Sequence, residues 1–151
     1  LEATQRFGQW LAERIPARGA PALLLRGELG SGKTALTRAL VSALPGGERA
    51  EVSSPSFTVC NHYPTSPPVL HCDLYRCQGS LPDEIFDGLE RSEVFCIIEW
   101  AEYLPEKDWP ENCLDIRFKI CNQERLLILA AHGPDAESLL QELRTAWPCE
   151  A

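Results

Sequence analysis

The segment Gly27–Thr34 reads GELGSGKT and constrains the fold more than any other part of the sequence. It matches the phosphate-binding loop pattern G-x-x-x-x-G-K-[ST]. A short apolar segment, Ala22–Arg26, precedes the loop, and a helical pattern from Lys33 to Leu44 follows it. A buried parallel strand, a glycine loop and a helix in this order are the context in which this pattern holds phosphate. The sequence therefore predicts a nucleoside triphosphate site.

The residue types of the loop explain how it would bind. Glycine lets the backbone curl so that N–H groups point at phosphate oxygens, and the N-terminus of the following helix favours negative charge. Lys33 is expected to reach the β- and γ-phosphates, and the Thr34 hydroxyl is expected to bind Mg²⁺. The predicted nucleotide contacts are Glu28, Leu29, Gly30, Ser31, Gly32, Lys33, Thr34 and Ala35. The alternative is an ordinary glycine turn followed by a solvated lysine.

Two acidic residues at the ends of apolar segments are candidates to hold the metal and orient the attacking water. Glu99 follows the apolar segment Val94–Ile98, as in a Walker B strand. Asp73 ends a weaker pattern that begins at Val69 and is interrupted by His71. A phosphate-binding loop needs such a carboxylate at the end of a neighbouring strand. Either acid could instead cap the element that follows it.

The remaining hydrophobic pattern indicates an α/β fold. The predicted helices end at Ile15 and cover Leu81–Leu89 and Asp135–Trp147; the predicted strands are Phe57–His62, Val69–Asp73, Val94–Ile98, Leu114–Ile120 and Arg125–Ala131. Strands alternate with helices early, and a hairpin follows late, with one face of its first strand solvated. We therefore expect a single domain over residues 1–151 with a three-layer P-loop NTPase fold: a mostly parallel sheet, an antiparallel edge hairpin and helices on both faces.

Charge and hydropathy narrow the classes of function. The net charge is −8, and the sequence contains no run of Lys and Arg. A protein that grips nucleic acid by itself usually has a basic face, so we expect no DNA binding and only indirect contact with RNA. The longest apolar run is about six residues, far below the ~20 that span a bilayer. We expect a soluble cytoplasmic protein with no membrane partner.

The seven cysteines lack a CxxC pair, and their number is odd. Reduced, buried thiols are therefore expected rather than a disulfide framework. Five cysteines and histidines cluster in sequence, namely Cys60, His62, His71, Cys72 and Cys77. A zinc site there is the alternative, although their spacing differs from the usual pairs of zinc ligands.

Other classes of P-loop protein leave signatures that this sequence lacks. The D-x-x-G and N-K-x-D motifs of GTPases and the LSGGQ-type motif of ABC ATPases do not occur. No lid-like insertion rich in arginine stands out, which a small-molecule kinase would need. A metabolite kinase and a nucleotide-dependent docking module remain as alternatives to an ATPase.

Five motifs in the same order resemble the TsaE (formerly YjeE) family, the bacterial P-loop ATPases of tRNA threonylcarbamoyladenosine biosynthesis. The resemblance covers nearly the whole chain. The motifs are TQRFGQWLA at residues 4–12, GELGSGKT at 27–34, VSSPSFT at 52–58, HCDLYR at 71–76 and IIEW at 97–100. The segment 52–58 has serine at position 56, where the family usually has threonine, and Ala101 stands where proline often follows the E-W pair.

The resemblance implies ATP and Mg²⁺ as cofactors and assigns roles to particular residues. Lys33 and the loop amides would hold phosphate, and Thr34 would bind the metal. Ser56 would lie near the γ-phosphate, and Trp100 beside the site. Asp73 and Glu99 would act on Mg²⁺ and the attacking water, with the division between them left open.

The resemblance also implies protein partners. In the family's reaction, threonylcarbamoyl-adenylate donates its threonylcarbamoyl group to adenosine 37 of certain tRNAs. TsaD with TsaB carries the transferase site, and the small ATPase docks on that pair to reset it between turnovers. An acidic chain that contacts tRNA only through the complex is compatible with this role.

Overall fold

The computed structural model describes residues 2–15, 21–55 and 57–147. The four α-helices of these residues are α1 (Glu2–Arg14), α2 (Lys33–Ala43), α3 (Asp83–Glu90) and α4 (Pro134–Ala146). The six strands are β1 (Ala22–Arg26), β2 (Cys60–Tyr63), β3 (Val69–Asp73), β4 (Phe95–Glu99), β5 (Cys113–Cys121) and β6 (Glu124–His132). Short 3₁₀ segments cover Gly47–Arg49, Ala101–Tyr103 and Glu106–Asp108.

The six strands form one sheet in the order β2–β3–β4–β1–β5–β6. The four central strands are parallel, and β2 and β6 pair antiparallel with their neighbours at the two edges. The α/β class and the late edge hairpin are confirmed, and β2 adds a second antiparallel edge that was not predicted. Because β1 and β4 are adjacent and parallel, the loop after β1 and the last residue of β4 lie together, at the carboxyl ends of the strands.

Side chains that alternate along the central strands form two cores. Leu23 and Leu25 of β1 face a core that includes residues of α1, α2 and α4. Ala22 and Leu24 face a second core that includes Ile85 of α3. Both faces of the sheet are therefore covered, which is why its central strands read as continuous apolar runs.

Two of the predicted strands differ from the structure. The strand predicted from Phe57 begins only at Cys60, because Val59 has a left-handed backbone (φ 66°) that interrupts extended structure. The solvated face predicted for β5 holds only beyond Ile116, since the first four residues of that strand are all buried. There, Asp115 points inward and is held by two guanidinium nitrogens of Arg26, Nε at 2.8 Å and Nη2 at 2.5 Å.

Candidate functional site

The glycine loop lies between the end of β1 and the start of α2, and its backbone needs glycine at three positions. Gly27, Gly30 and Gly32 have φ angles of 148°, 76° and 113°. A Cβ atom on Gly27 would lie 2.8 Å from the Phe118 carbonyl oxygen and 2.8 Å from Ser31 Oγ. The loop is thus packed closely against β5 on one side.

Lys33 points into the loop. The side chain is buried, with 5% of the residue exposed. Its Nζ donates to the carbonyl oxygens of Gly27 and Glu28, the latter at 3.0 Å. Burial lowers the pKa of Lys33, and nearby carboxylates, Glu102 first, oppose that shift. This geometry contradicts the alternative of a solvated lysine and places an ammonium group inside a curl of backbone.

Glu99 ends β4 directly beside the loop and is almost fully buried. The Thr34 hydroxyl donates to Glu99 Oε1 at 2.9 Å. The other oxygen of Glu99, Oε2, bonds Nε2 of His71. A buried carboxylate needs such partners because desolvation of an unpaired charge is costly. The structure therefore brings together Lys33, Thr34 and Glu99, as the motifs predict.

Asp73 ends β3 in register with Glu99 on the neighbouring strand. It is only half-buried, and its partners differ from those of Glu99. Ser54 Oγ donates to Asp73 Oδ2 at 2.8 Å, and the Tyr75 amide donates to Oδ1 at 3.0 Å. Asp73 thus caps the turn after β3, which was the alternative interpretation, and also holds the segment 52–55.

Trp100 follows Glu99 in a left-handed conformation (φ 54°). The Lys33 ammonium lies 4.3 Å from the centre of its ring, within cation–π range. The rings of Tyr75 and Tyr103 flank it at 4.8 and 6.3 Å between centroids. Trp100 therefore lies at the loop. Ser56 falls outside the described residues.

The oxygen atoms at this edge fit the chemistry of Mg²⁺. Magnesium prefers carboxylate and hydroxyl oxygens together with water and phosphate. Thr34 and Glu99 place one hydroxyl and one carboxylate oxygen 2.9 Å apart, at the start of α2. The loop amides and Lys33 supply positive charge next to them, which fits a phosphate that shares the metal.

Comparison with known proteins gives consistent matches along the chain. A family model described as "Threonylcarbamoyl adenosine biosynthesis protein TsaE" matches residues 1–127. The chain is 36% identical over 112 residues to a "tRNA threonylcarbamoyladenosine biosynthesis protein TsaE" of Synechocystis, covering 70% of this chain and 69% of that one. It is 33% identical over 129 residues to the protein of that name from Bacillus subtilis, covering 84% and 80%. The chain belongs to the TsaE family.

A solved structure has the same fold along nearly the whole chain. A crystal structure of Bacillus subtilis YdiB matches with a TM-score of 0.71 and 30% identity, covering 96% of this chain and 89% of that one. Together with the glycine loop, the TsaE membership and this fold indicate a nucleotide-binding protein. The predicted resemblance to the TsaE family is confirmed.

Two residues of this TsaE member contact the site without having been predicted there, and a third lies directly behind one of them. Glu102 Oε2 accepts from the Gly27 amide at 3.1 Å, so a carboxylate lies on the first N–H of the loop. His71 bonds Glu99, and Tyr63 bonds His71. The one signal in the sequence was His71 itself, a polar residue inside an otherwise apolar strand pattern. Glu102 gave none, because its contact joins residues 75 positions apart.

The cluster of cysteines and histidines does not form a metal site. Within residues 2–15, 21–55 and 57–147, no group of three or more His, Cys, Asp or Glu side chains could hold a metal ion. Cys60, Cys72 and Cys77 are buried, and the pKa of Cys72 is raised, first by its contact with Cys60. His62 points outward to Glu84, whereas His71 is buried.

Among the described helices, none has the length and apolar character to cross a membrane.

Proposed function

We propose that this chain is an ATP-binding and ATP-hydrolysing subunit that supports threonylcarbamoylation of adenosine 37 in tRNA by TsaD and TsaB. The observation that carries this proposal is the pairing of the Thr34 hydroxyl with the buried Glu99 carboxylate, 2.9 Å apart beside Lys33. These are the groups that a P-loop ATPase needs for metal, water and phosphate. The pathway comes from the names of the family and of its curated relatives.

The phosphate groups of ATP would bind at the loop amides and Lys33. In the structure, Lys33 donates to the carbonyl oxygens of Gly27 and Glu28. A buried ammonium that donates to neutral carbonyls is well suited to exchange them for charged phosphate oxygens, because bonds between charged groups are stronger. The pKa of Lys33 is lowered because burial outweighs the attraction of the carboxylates around it. The ammonium is therefore destabilised in the empty loop and would gain from the charge of a phosphate.

Thr34, Glu99 and Asp73 are the side chains to which the motifs assign Mg²⁺ and the attacking water. When bound, Mg²⁺ would neutralise charge on the phosphates. The two acids have different surroundings, which favours different roles for Glu99 and Asp73. Glu99 bonds Thr34 directly, whereas Asp73 bonds Ser54 and the Tyr75 amide. We therefore assign direct contact with Mg²⁺ or the attacking water to Glu99, and to Asp73 the ordering of the segment 52–55 through Ser54.

TsaD and TsaB are the proposed partners, with tRNA contacted through them. The net charge of −8 supports an indirect role, because a chain without a basic run has little electrostatic attraction for RNA. A role in bacterial tRNA modification also implies action in the cytoplasm.

The test is reconstituted threonylcarbamoylation with purified TsaD, TsaB, tRNA, threonylcarbamoyl-adenylate and ATP. The reaction is run with the wild-type chain, with Lys33→Ala, with Lys119→Ala as a matched exposed lysine, or with no added chain. We expect several turnovers per complex with the wild-type chain and with Lys119→Ala. With Lys33→Ala, or without any added chain, we expect at most one turnover. Equal turnover in all four reactions would contradict the proposal and give priority to a search for a small phosphoryl acceptor.

A further inference from the structure

A chain of side-chain hydrogen bonds lies behind Glu99 and crosses three neighbouring strands. Tyr63 on β2 bonds Nδ1 of His71 on β3 at 3.0 Å, and Nε2 of His71 bonds Oε2 of Glu99 on β4. At its outer end, the Tyr63 hydroxyl lies 3.4 Å from the carbonyl oxygen of Ser53. At its inner end, Glu99 accepts from Thr34 of the glycine loop.

The sheet register produces this chain. His71 pairs with Asn61 on β2 and with Ile97 on β4. Tyr63 and Glu99 are each two residues beyond those partners, so all three side chains lie on the same face of the sheet. The contacts therefore run diagonally from strand to strand, and a one-residue shift in either pairing would separate them.

Burial makes these bonds specific. His71 has no exposed surface, Glu99 is 1% exposed and Tyr63 is 6% exposed. Without water to replace a lost partner, each polar atom depends on its neighbour in the chain. Burial also raises the pKa of Tyr63, so its hydroxyl keeps the proton that it can donate. The Tyr63 hydroxyl has one proton, and His71 Nδ1 at 3.0 Å is a nearer acceptor than the Ser53 carbonyl oxygen at 3.4 Å. When Tyr63 donates to Nδ1, the ring N–H of His71 lies on Nε2, facing Glu99.

We propose that Tyr63 and His71 are positioning residues that fix the orientation of the Glu99 carboxylate for ATP hydrolysis. With Oε2 held by His71, Oε1 is directed at Thr34 and the loop. The same bonds connect Tyr63 on β2, through His71 and Glu99, to Thr34 at the start of α2. The inference rests on the proposed function, because it needs ATP hydrolysis to be measurable.

Tyr63→Phe is the decisive variant, since it removes one hydroxyl and keeps the ring in the core. We expect kcat for ATP hydrolysis in the presence of TsaD and TsaB to fall roughly 10-fold or more, in line with other groups that orient a catalytic ligand. KM for ATP and the Kd for ADP measured without Mg²⁺ should stay within about twofold, because the loop and Lys33 are untouched.

His71→Gln and His71→Leu form a graded pair. Gln keeps a side-chain N–H that can donate to Glu99, whereas Leu cannot donate, so we expect the Gln variant to retain more of kcat. His62→Gln is the matched control, because His62 also pairs with a glutamate, Glu84, but at an exposed position on the neighbouring strand. Its kcat should equal that of wild type.

The outcomes separate this inference from the proposed function. If wild type hydrolyses ATP and Tyr63→Phe has the same kcat as His62→Gln, Tyr63 and His71 only fill the core and the positioning role is wrong. A lower melting temperature with unchanged kcat below the transition also makes the positioning role wrong. If wild type itself hydrolyses no ATP with TsaD and TsaB, the proposed function fails and the inference fails with it. Should the His71 variants not fold, Tyr63→Phe alone decides.

Discussion

Glu99 and Asp73 end neighbouring parallel strands in register, and their surroundings are very different. Glu99 is buried, and both of its oxygens bond side chains, Thr34 and His71. Asp73 is half-buried and bonds a serine hydroxyl and a backbone amide in exposed segments. The Glu99 side of this edge is packed and preorganised, whereas the Asp73 side is open to solvent. Equivalent positions in a sheet can therefore carry different tasks, set by what packs behind them.

Replacing each acid by its amide gives the largest expected contrast. Glu99→Gln should lower ATP hydrolysis with TsaD and TsaB roughly 100-fold or more, as expected for loss of a group that acts on the attacking water. Asp73→Asn should lower it roughly 10-fold or less, because the amide oxygen can still accept from Ser54 or Tyr75. Both should bind ADP in the absence of Mg²⁺ with Kd near that of wild type, measured by calorimetry.

The order of these two effects tests the division of roles. If Asp73→Asn reduces hydrolysis as strongly as Glu99→Gln, Asp73 acts directly on the metal or water, and the contrast in burial has no functional meaning. If Glu99→Gln retains tRNA modification while hydrolysis stops, the chain works as a docking module controlled by nucleotide binding.

Two glycines, one in the glycine loop and one after β3, test whether the Glu99 side is packed more tightly than the Asp73 side. Gly27→Ala places a Cβ 2.8 Å from the Phe118 carbonyl oxygen at φ 148°, so packing and backbone strain add. We expect about 3 kcal/mol of destabilisation. Gly79, after β3, also has a positive φ of 98°, but nothing lies within 4 Å of its Cβ position. Gly79→Ala should cost only about 1 kcal/mol.

Urea unfolding of both variants without nucleotide measures this difference. Similar losses of stability for the two glycines would mean that the loop relaxes away from Phe118 at little cost. The packed side of the edge would then be less rigid than its contacts indicate.

The parts of this fold that sequence predicts are those fixed by neighbouring residues. The apolar run before GELGSGKT gives β1, and β3 has the predicted bounds, Val69–Asp73. Local pattern suffices there because both strands are buried on both faces. It fails at β2, where the left-handed Val59 delays the strand, since nothing in the side chain of valine favours that conformation.

The site was predictable only where its contacts come from motifs. Lys33 and Thr34 follow from the loop, and Glu99 from the end of an apolar run. The contact of His71 with Glu99 depends on β3 lying beside β4 in one register, and the contact of Glu102 with Gly27 on a 3₁₀ turn folding back over β1. Such long-range pairings are set by the sheet as a whole, which one sequence without its fold does not give.

The smallest expected effect concerns the free-energy cost of burying the Lys33 ammonium group beside Glu99. The pKa of Lys33 is lowered by burial, so the folded chain releases this proton at lower pH than the unfolded chain does. Between the two pKa values the unfolded state binds more protons, and stability rises with pH. Below the folded-state pKa, the full cost of burying the ammonium is present.

Lys33→Met isolates this contribution. The free energy of unfolding of wild type minus that of Lys33→Met should therefore increase as pH is raised from 7 toward the ordinary lysine pKa of about 10.4. Cysteine titration is common to both chains and cancels in the difference if a reductant is present. Lys119, which is exposed on β5, supplies the control, and the wild-type minus Lys119→Met difference should stay flat. If the wild-type minus Lys33→Met difference falls with pH, the ammonium stabilises the empty loop through its bonds to the carbonyl oxygens of Gly27 and Glu28. A phosphate would then have to compete with those bonds, and its binding would not relieve a desolvated charge.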